Sequence, residues 1–232
     1  QTQQNTIIFE TPKEIARNVS FYNTPHKIQT YSNKYTTQIV VTESNSIDQA
    51  QLLIGADCNP VIHVENNRMY PGNDALEGEL SIEADLFRRS NIGAGLFQFT
   101  DDAEIFQVQK NKDHSYPLGK ETGGIYAPYV SVFRGSEKNG YCLLNKNLKL
   151  DFILVPAYEN TENINIHGEW RLQEKYVPYV KEKIRTILRI AFVHQHDCVI
   201  FNSFGDEKFD YPPQHLSEIF SDIIHEPEFK NV

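Results

Sequence analysis

Three loop segments carry the residues whose types and spacing could do chemistry. The first runs from Val64 to Asn91: paired amides at Asn66 and Asn67, a Pro71-Gly72 turn followed by Asn73 and Asp74, then an acidic helical stretch with Glu83. Amide side chains at the carboxyl end of a strand suit recognition of a polar small molecule, because ligands of open α/β sheets gather there. A carboxyl such as Glu83 adds a group able to move a proton. The second segment, Tyr116 to Arg134, places Gly123-Gly124 ahead of Ile125 and Tyr126. Two residues without side chains let a backbone approach a ligand closely. Gly124 is therefore expected to lie against the ligand, and Gly124→Val to abolish binding with little loss of stability. The third segment again joins a strand to a helix, through Ser203, Phe204, Gly205, Asp206, Glu207, Lys208 and Phe209. Any one of these segments alone reads as a turn. Together, in one α/β chain, they point to a shared pocket.

Other chemistries find less support. His194, His196 and Asp197 have metal-ligating side chains, but they sit where a helix gives way to a strand. A histidine in a last helical turn also complements the helix dipole, so no metal set is assigned. No HExxH, GxSxG, GxGxxG or GxxxxGK[ST] pattern occurs, and no cofactor is expected. Cys58, Cys142 and Cys198 are odd in number and widely spaced, which fits free thiols in a reducing, cytoplasmic setting.

Composition narrows the partners. The 232 residues are 40% hydrophobic, with 22 Lys and Arg against 31 Asp and Glu, a net charge of −9. Such a surface repels phosphate polymers, so a nucleic acid is not the expected partner. No apolar run reaches the roughly 18 residues of a membrane span, and no contact of this segment with a membrane is expected. The chain opens on Gln1 without a signal-like pattern, which suggests a domain cut from a longer protein whose other part could include a membrane anchor.

The elements that must position these loops alternate between strand and helix. The pattern predicts a helix over Thr11–Tyr22, a strand over Gln38–Thr42, a helix over Ser46–Leu53 and a strand over Pro60–Val64. A helix over Leu76–Arg89 follows, then a mixed strand signal over Thr100–Val108 and strands at Val130–Phe133 and Leu150–Val155. A long helix over Leu172–Val193 contains Pro178, which marks either a kink or a later true start. A strand over Asp197–Asn202 and a helix over Gln214–Ile224 complete the chain. This alternation predicts an α/β sandwich around a central sheet in a single domain, 1–232, with 1–35 as an N-terminal extension packed on it.

Several of these residues also form a co-linear set. Pro71-Gly72, Leu86 with Arg88-Arg89-Ser90-Asn91, Tyr116-Pro117-Leu118, Gly123-Gly124-Ile125-Tyr126, Pro128, Val130, Val132-Phe133-Arg134, His196-Asp197, Phe204-Gly205, Phe209 and Pro212-Pro213 follow one another in order. In this the chain resembles the microbial-type poly(ADP-ribose) glycohydrolase group of macrodomains. The resemblance spans roughly residues 39 to 224 and implies a three-layer α/β/α macrodomain with a central mixed sheet, binding an ADP-ribose-type small molecule.

Departures fall on the chemistry. Where the family has a triple glycine, this chain has Gly72-Asn73-Asp74, and where it has Gln-Glu-Glu, this chain has Ile82-Glu83-Ala84. The second Glu of that pair is the one associated with acid catalysis, and Ala84 offers no proton. The family's phosphate loop is rewritten as Gly205-Asp206-Glu207-Lys208-Phe209-Asp210. The resemblance thus implies a reader of ADP-ribose or a modified ADP-ribose that does not hydrolyse polymer. The alternative is an active glycohydrolase with Glu83 as the acid. A looser likeness is to the sensor macrodomain of a Thoeris-type antiviral effector, in which a membrane segment accompanies the sensor.

Overall fold

The structure is a computed structural model and describes residues 10–28, 37–72, 75–205 and 209–229. It is a three-layer α/β/α arrangement. Five strands form the middle layer in the order β1 (Ser20–Tyr22), β3 (Gly124–Arg134), β4 (Leu143–Leu154), β2 (Pro60–Val64) and β7 (Cys198–Ile200). β2 runs parallel to both β4 and β7, while β3 is antiparallel to β4 and β1 to β3, so the sheet is mixed. One face is covered by α2 (Ser46–Gly55), α3 (Ile82–Arg89) and α4 (Ile92–Leu96), which enclose Ile62, Val64, Ile125, Phe152 and Leu154. The other is covered by α5 (Val177–Val193) and α6 (Pro213–Ile224), around Val61, Ile153, Val155, Ile184 and Ile187. All five residues of β2 are buried because both faces and both edges are occupied.

Local chemistry sets the boundaries. Thr11 caps α1 (Pro12–Asn18) in a capping box with Glu14, and Pro12 occupies the first turn. That helix stops before Tyr22, because Ser20–Tyr22 pairs with β3 instead. Asn45, and not Ser46, caps α2 through its side chain. The single helix expected over 76–89 is broken: Ala75–Glu77 forms a short 3-10 turn, Gly78 takes a left-handed φ of 95°, and Ser81 caps a shorter α3. Leu76 and Leu80 consequently stand in solvent.

The strand expected over Gln38–Thr42 is irregular backbone with Ile39, Val40 and Val41 exposed, since no strand among the described residues pairs with it. Thr100–Val108 forms turns rather than a strand. α5 begins at Val177 with Pro178 in its first turn, so the later start is the correct alternative. Residues ahead of it form a hairpin, β5 (Asn163–Ile166) and β6 (Glu169–Leu172), that sequence reasoning passed over. Its two-residue turn, His167-Gly168, has positive φ at both positions, as a tight hairpin requires. No described helix is long and apolar enough to cross a membrane.

Candidate functional site

The carboxyl ends of β2, β4 and β7 converge, and two backbone links hold the loops that leave them. Glu65, just past β2, accepts a 2.6 Å hydrogen bond from the Gly205 amide beyond β7. The Asn202 side chain donates to the His63 carbonyl at 2.7 Å. Tyr211 extends the brace to β4: its amide donates to the Gly205 carbonyl at 2.7 Å and its hydroxyl to the Tyr158 carbonyl at 2.6 Å. Gly205 has φ 69°, and a Cβ there would lie 2.2 Å from the Tyr211 ring, so glycine is required twice over.

A second brace forms at the start of α3. Glu83 is 1% exposed, and its carboxylate accepts from the Asn67 amide at 2.7 Å and from the Gly72 amide at 3.0 Å. Asn67 in turn accepts from the Met69 amide through its side chain at 2.8 Å, and Asn66 donates to the Asn67 carbonyl at 3.1 Å. Gly72 takes φ 91°, where a Cβ would meet the Phe87 ring at 2.8 Å. The buried Tyr116 hydroxyl lies against the Asn66 amide without good hydrogen-bond alignment. Burial, with the negative charge of Glu83, holds that hydroxyl well above its ordinary pKa. Ala84, next along the helix, has a fully enclosed methyl group, and its amide donates to Ser81.

Sequence reasoning missed the cations at this end of the sheet. Arg68 follows the paired amides and pairs with Glu159 at 3.1 Å while donating to the Leu118 carbonyl at 3.2 Å. Lys183, on α5, is fully buried and donates to the Gly119 carbonyl at 3.0 Å. Burial and the nearby Arg68 lower its pKa from 10.5 to about 7, with partial relief from Glu159. The signal was present: Lys183 lies three residues after Val180 and four before Ile187, on the apolar stripe of its helix.

The structure brings Asn66, Asn67, Gly72, Glu83, Ser203 and Gly205 to one end of the sheet, Ser203 with its side chain exposed. Gly123, Gly124, Ile125 and Phe204 reach the same end of the sheet but are engaged in packing, and Tyr126 points away from it. A Cβ on Gly124 would strike the Val155 side chain at 2.6 Å and Ile190 at 3.1 Å, so its missing side chain serves packing of β4 and α5. Gly123, at φ 106°, closes a turn against the Gly119 amide. Ile125 is fully buried in the core. Tyr126 points toward the amino ends of β2 and β7, where its hydroxyl donates to Asp151 and meets His196, each at 3.0 Å. Phe204 is buried edge-on to His63 and Tyr211, and Phe209 packs on the same core. Asn73, Asp74, Asp206, Glu207 and Lys208 lie outside the described residues. The three-residue cluster suspected at 194–197 divides: His194 stacks on Tyr126 and bonds the Tyr22 hydroxyl, His196 meets the Asn59 carbonyl, and Asp197 turns elsewhere.

An open hollow of about 890 Å³ lies between α2, α3 and the start of β4, and it shares only Asn202 with this cluster. It is apart from the braced loops and carries no assignment.

A mixed sheet between two helical layers, with braced loops at the carboxyl ends of its parallel strands, defines a macrodomain-like α/β protein. The sequence model of the microbial-type PARG catalytic domain matches residues 1–135, and the chain belongs to that family. Among solved structures, it is similar to poly(ADP-ribose) glycohydrolase from Thermomonospora curvata, with a TM-score of 0.70 and 21% identity over 94% of this chain and 79% of that one. It is also similar to the enzyme from Deinococcus radiodurans in complex with ADP-ribose, with a TM-score of 0.69 and 16% identity over 97% and 88%. No curated protein matches the chain.

Proposed function

We propose that this domain binds ADP-ribose, or a modified NAD-derived ADP-ribose, and reads it without hydrolysing polymer. Membership of the family and the ADP-ribose complex of the Deinococcus radiodurans neighbour support the ligand class. One observation carries the absence of hydrolysis. The carboxylate of Glu83 is engaged by two backbone amides, and the next position, where the family pattern has its acid, is Ala84. Cleavage of a glycosidic bond needs a carboxyl free to protonate the leaving oxygen. Glu83 would have to release both loop amides to serve.

Arg68 supplies positive potential near the strand ends, which suits a diphosphate, and Lys183 adds to it in its protonated form, below about pH 7. The carboxyl groups of Asp206 and Glu207 suit a cationic appendage on the ligand, and Lys208 or backbone amides of that segment would hold the diphosphate. In this reading 1–232 is a single cytoplasmic domain, the sensor part of a Thoeris-type antiviral effector whose membrane segment lies in another part of a longer protein.

The test pairs calorimetry with ADP-ribose and mass spectrometry of any copurifying nucleotide with incubation on poly(ADP-ribose). Binding without release of ADP-ribose above a buffer control is expected. Robust turnover by the unmodified domain, abolished by Glu83→Gln, would overturn the reading in favour of an active glycohydrolase with Glu83 as acid. Absence of any binding would overturn both.

A further inference from the structure

At the opposite end of the sheet, Cys198 begins β7 and Cys58 lies two residues ahead of β2. Cys198 opens β7, and its neighbour across the parallel ladder is Pro60, two residues past Cys58. Asp197 stands between them. Among the described residues, Cys58, Asp197 and Cys198 are the group of His, Cys, Asp or Glu side chains whose donor atoms lie within 4.8 Å of one another. The two turns that present them are stitched together. The Asn59 amide donates to the Asp197 carboxylate at 2.7 Å, the Asp197 amide to the Asn59 carbonyl at 3.3 Å, and the Asn59 side chain to the Gln195 carbonyl at 3.0 Å. Asp57 and Gln195, one in each turn, hold left-handed φ values of 61° and 60°, which fixes the turns in uncommon conformations.

We propose that Cys58, Asp197 and Cys198 form a binding site for a thiophilic divalent cation of the zinc class, with a water as fourth ligand. Two sulfurs and one carboxylate oxygen are a soft-to-borderline donor set, which selects such ions over magnesium or calcium. Metal–sulfur bonds of about 2.3 Å place tetrahedral donors roughly 3.5–3.8 Å apart, so donors within 4.8 Å of one another approach by about 1.3 Å at most on the ion. Both cysteines are half-buried and Asp197 is exposed, so an ion reaches the donors from solvent while the thiols stay shielded.

Without a cation the second thiolate is costly. Burial, then Asp197 and Cys58, push the Cys198 thiol up to about 12. Binding therefore exchanges the thiol protons for the ion: each sulfur donates a lone pair to the metal and its proton leaves to solvent. His196 does not join the donors, because its ring is committed to the Asn59 carbonyl and Tyr126. The site is independent of the ligand cluster at the other end of the strands.

Cadmium alone serves as the probe, added to the full chain under a thiol-free reductant. The expected result is one equivalent bound, a thiolate-to-metal charge-transfer band and release of about two protons. Cys58→Ser and Cys198→Ser should each abolish the band, Asp197→Asn should weaken binding by at least about tenfold, and Cys142→Ser should change nothing. The melting temperature of each variant without metal reports whether it folds. If either serine variant fails to fold, proton release by the unmodified chain and the Asp197→Asn titration decide. No band, no proton release, or a band that survives Cys198→Ser or follows Cys142 overturns the site.

Discussion

Lys183 offers a quantitative test of the cationic end of the sheet. Its side chain is fully buried, on the same helix as the core residues Val180, Ile184 and Ile187, lies near Arg68 and Glu159, and keeps one carbonyl partner at Gly119. The fall of its pKa from 10.5 to about 7 corresponds to roughly 5 kcal/mol of differential penalty on the ammonium form. Between about pH 7 and pH 10.5 the unfolded chain holds the proton that the folded chain has shed. Stability from this group therefore rises with pH across that window, by up to about 1.4 kcal/mol per pH unit. Below about pH 7 both states are protonated, and the penalty is full and constant. Lys183→Met removes the ammonium at similar volume and gives up the Gly119 hydrogen bond, worth about 1 kcal/mol. Urea unfolding of both proteins from about pH 6 to pH 9.5 isolates the effect, because every other titration cancels in the difference. The methionine variant should be the more stable at the acid end, and its advantage should shrink steadily as pH rises. A difference independent of pH, or one that grows with pH, would refute the buried-ammonium account.

Three further outcomes follow from the braces and the core. Glu83→Gln should lower stability by about 1.5–3 kcal/mol, read by thermal or chemical unfolding, because the Asn67 and Gly72 amides lose a charged acceptor; an unchanged transition means the carboxylate does not hold that loop. Gly124→Val should cost about 1–3 kcal/mol by overpacking against Val155 and Ile190, contrary to the sequence-based expectation of intact stability, and a wild-type melting curve would restore that expectation. Gly205→Ala should lower the melting temperature and weaken ADP-ribose binding together, since its methyl meets the Tyr211 ring and its backbone is left-handed; calorimetry and a thermal scan check both.

The buried strands were the most legible part of the chain. Pro60–Val64 and Leu150–Val155 are mostly apolar runs, interrupted only by His63 and Asp151, and burial on both faces leaves such runs little alternative. Ile39-Val40-Val41 has the same composition and forms no strand, because a strand needs a partner and composition does not reveal whether one exists. The split of the expected 76–89 helix was readable in Gly78 and Ser81, a breaker and a cap inside the apolar spacing. At the site, the loops were found from their glycines and amides, but side-chain direction was not. Gly124 and Tyr126 share the strand that leaves the loop, yet one packs against α5 and the other reaches the far end of the sheet. The cysteine–aspartate cluster was beyond sequence reach for a related reason. Cys58 and Cys198 are neighbours only through the parallel pairing of β2 with β7.

That pairing also governs how the chain can reach its fold. The fully buried strand β2, between β4 and β7, takes both neighbours from far downstream: Val61 pairs with Asp151 on one side and Val199 on the other. Until residue 200 has been synthesised, the most deeply buried strand has at least one unpaired edge, and the face that α6 helps to cover stays incomplete until residue 224. Closure of such long loops comes late and slowly, since their entropy must be overcome before any contact repays it. A chain stopped at residue 135 would carry β1, β2 and β3 with both edges of β2 open, a template for pairing with other chains. Nascent copies on crowded ribosomes would be most prone to aggregate in that interval, and a chaperone that shields Pro60–Val64 would give its greatest help there.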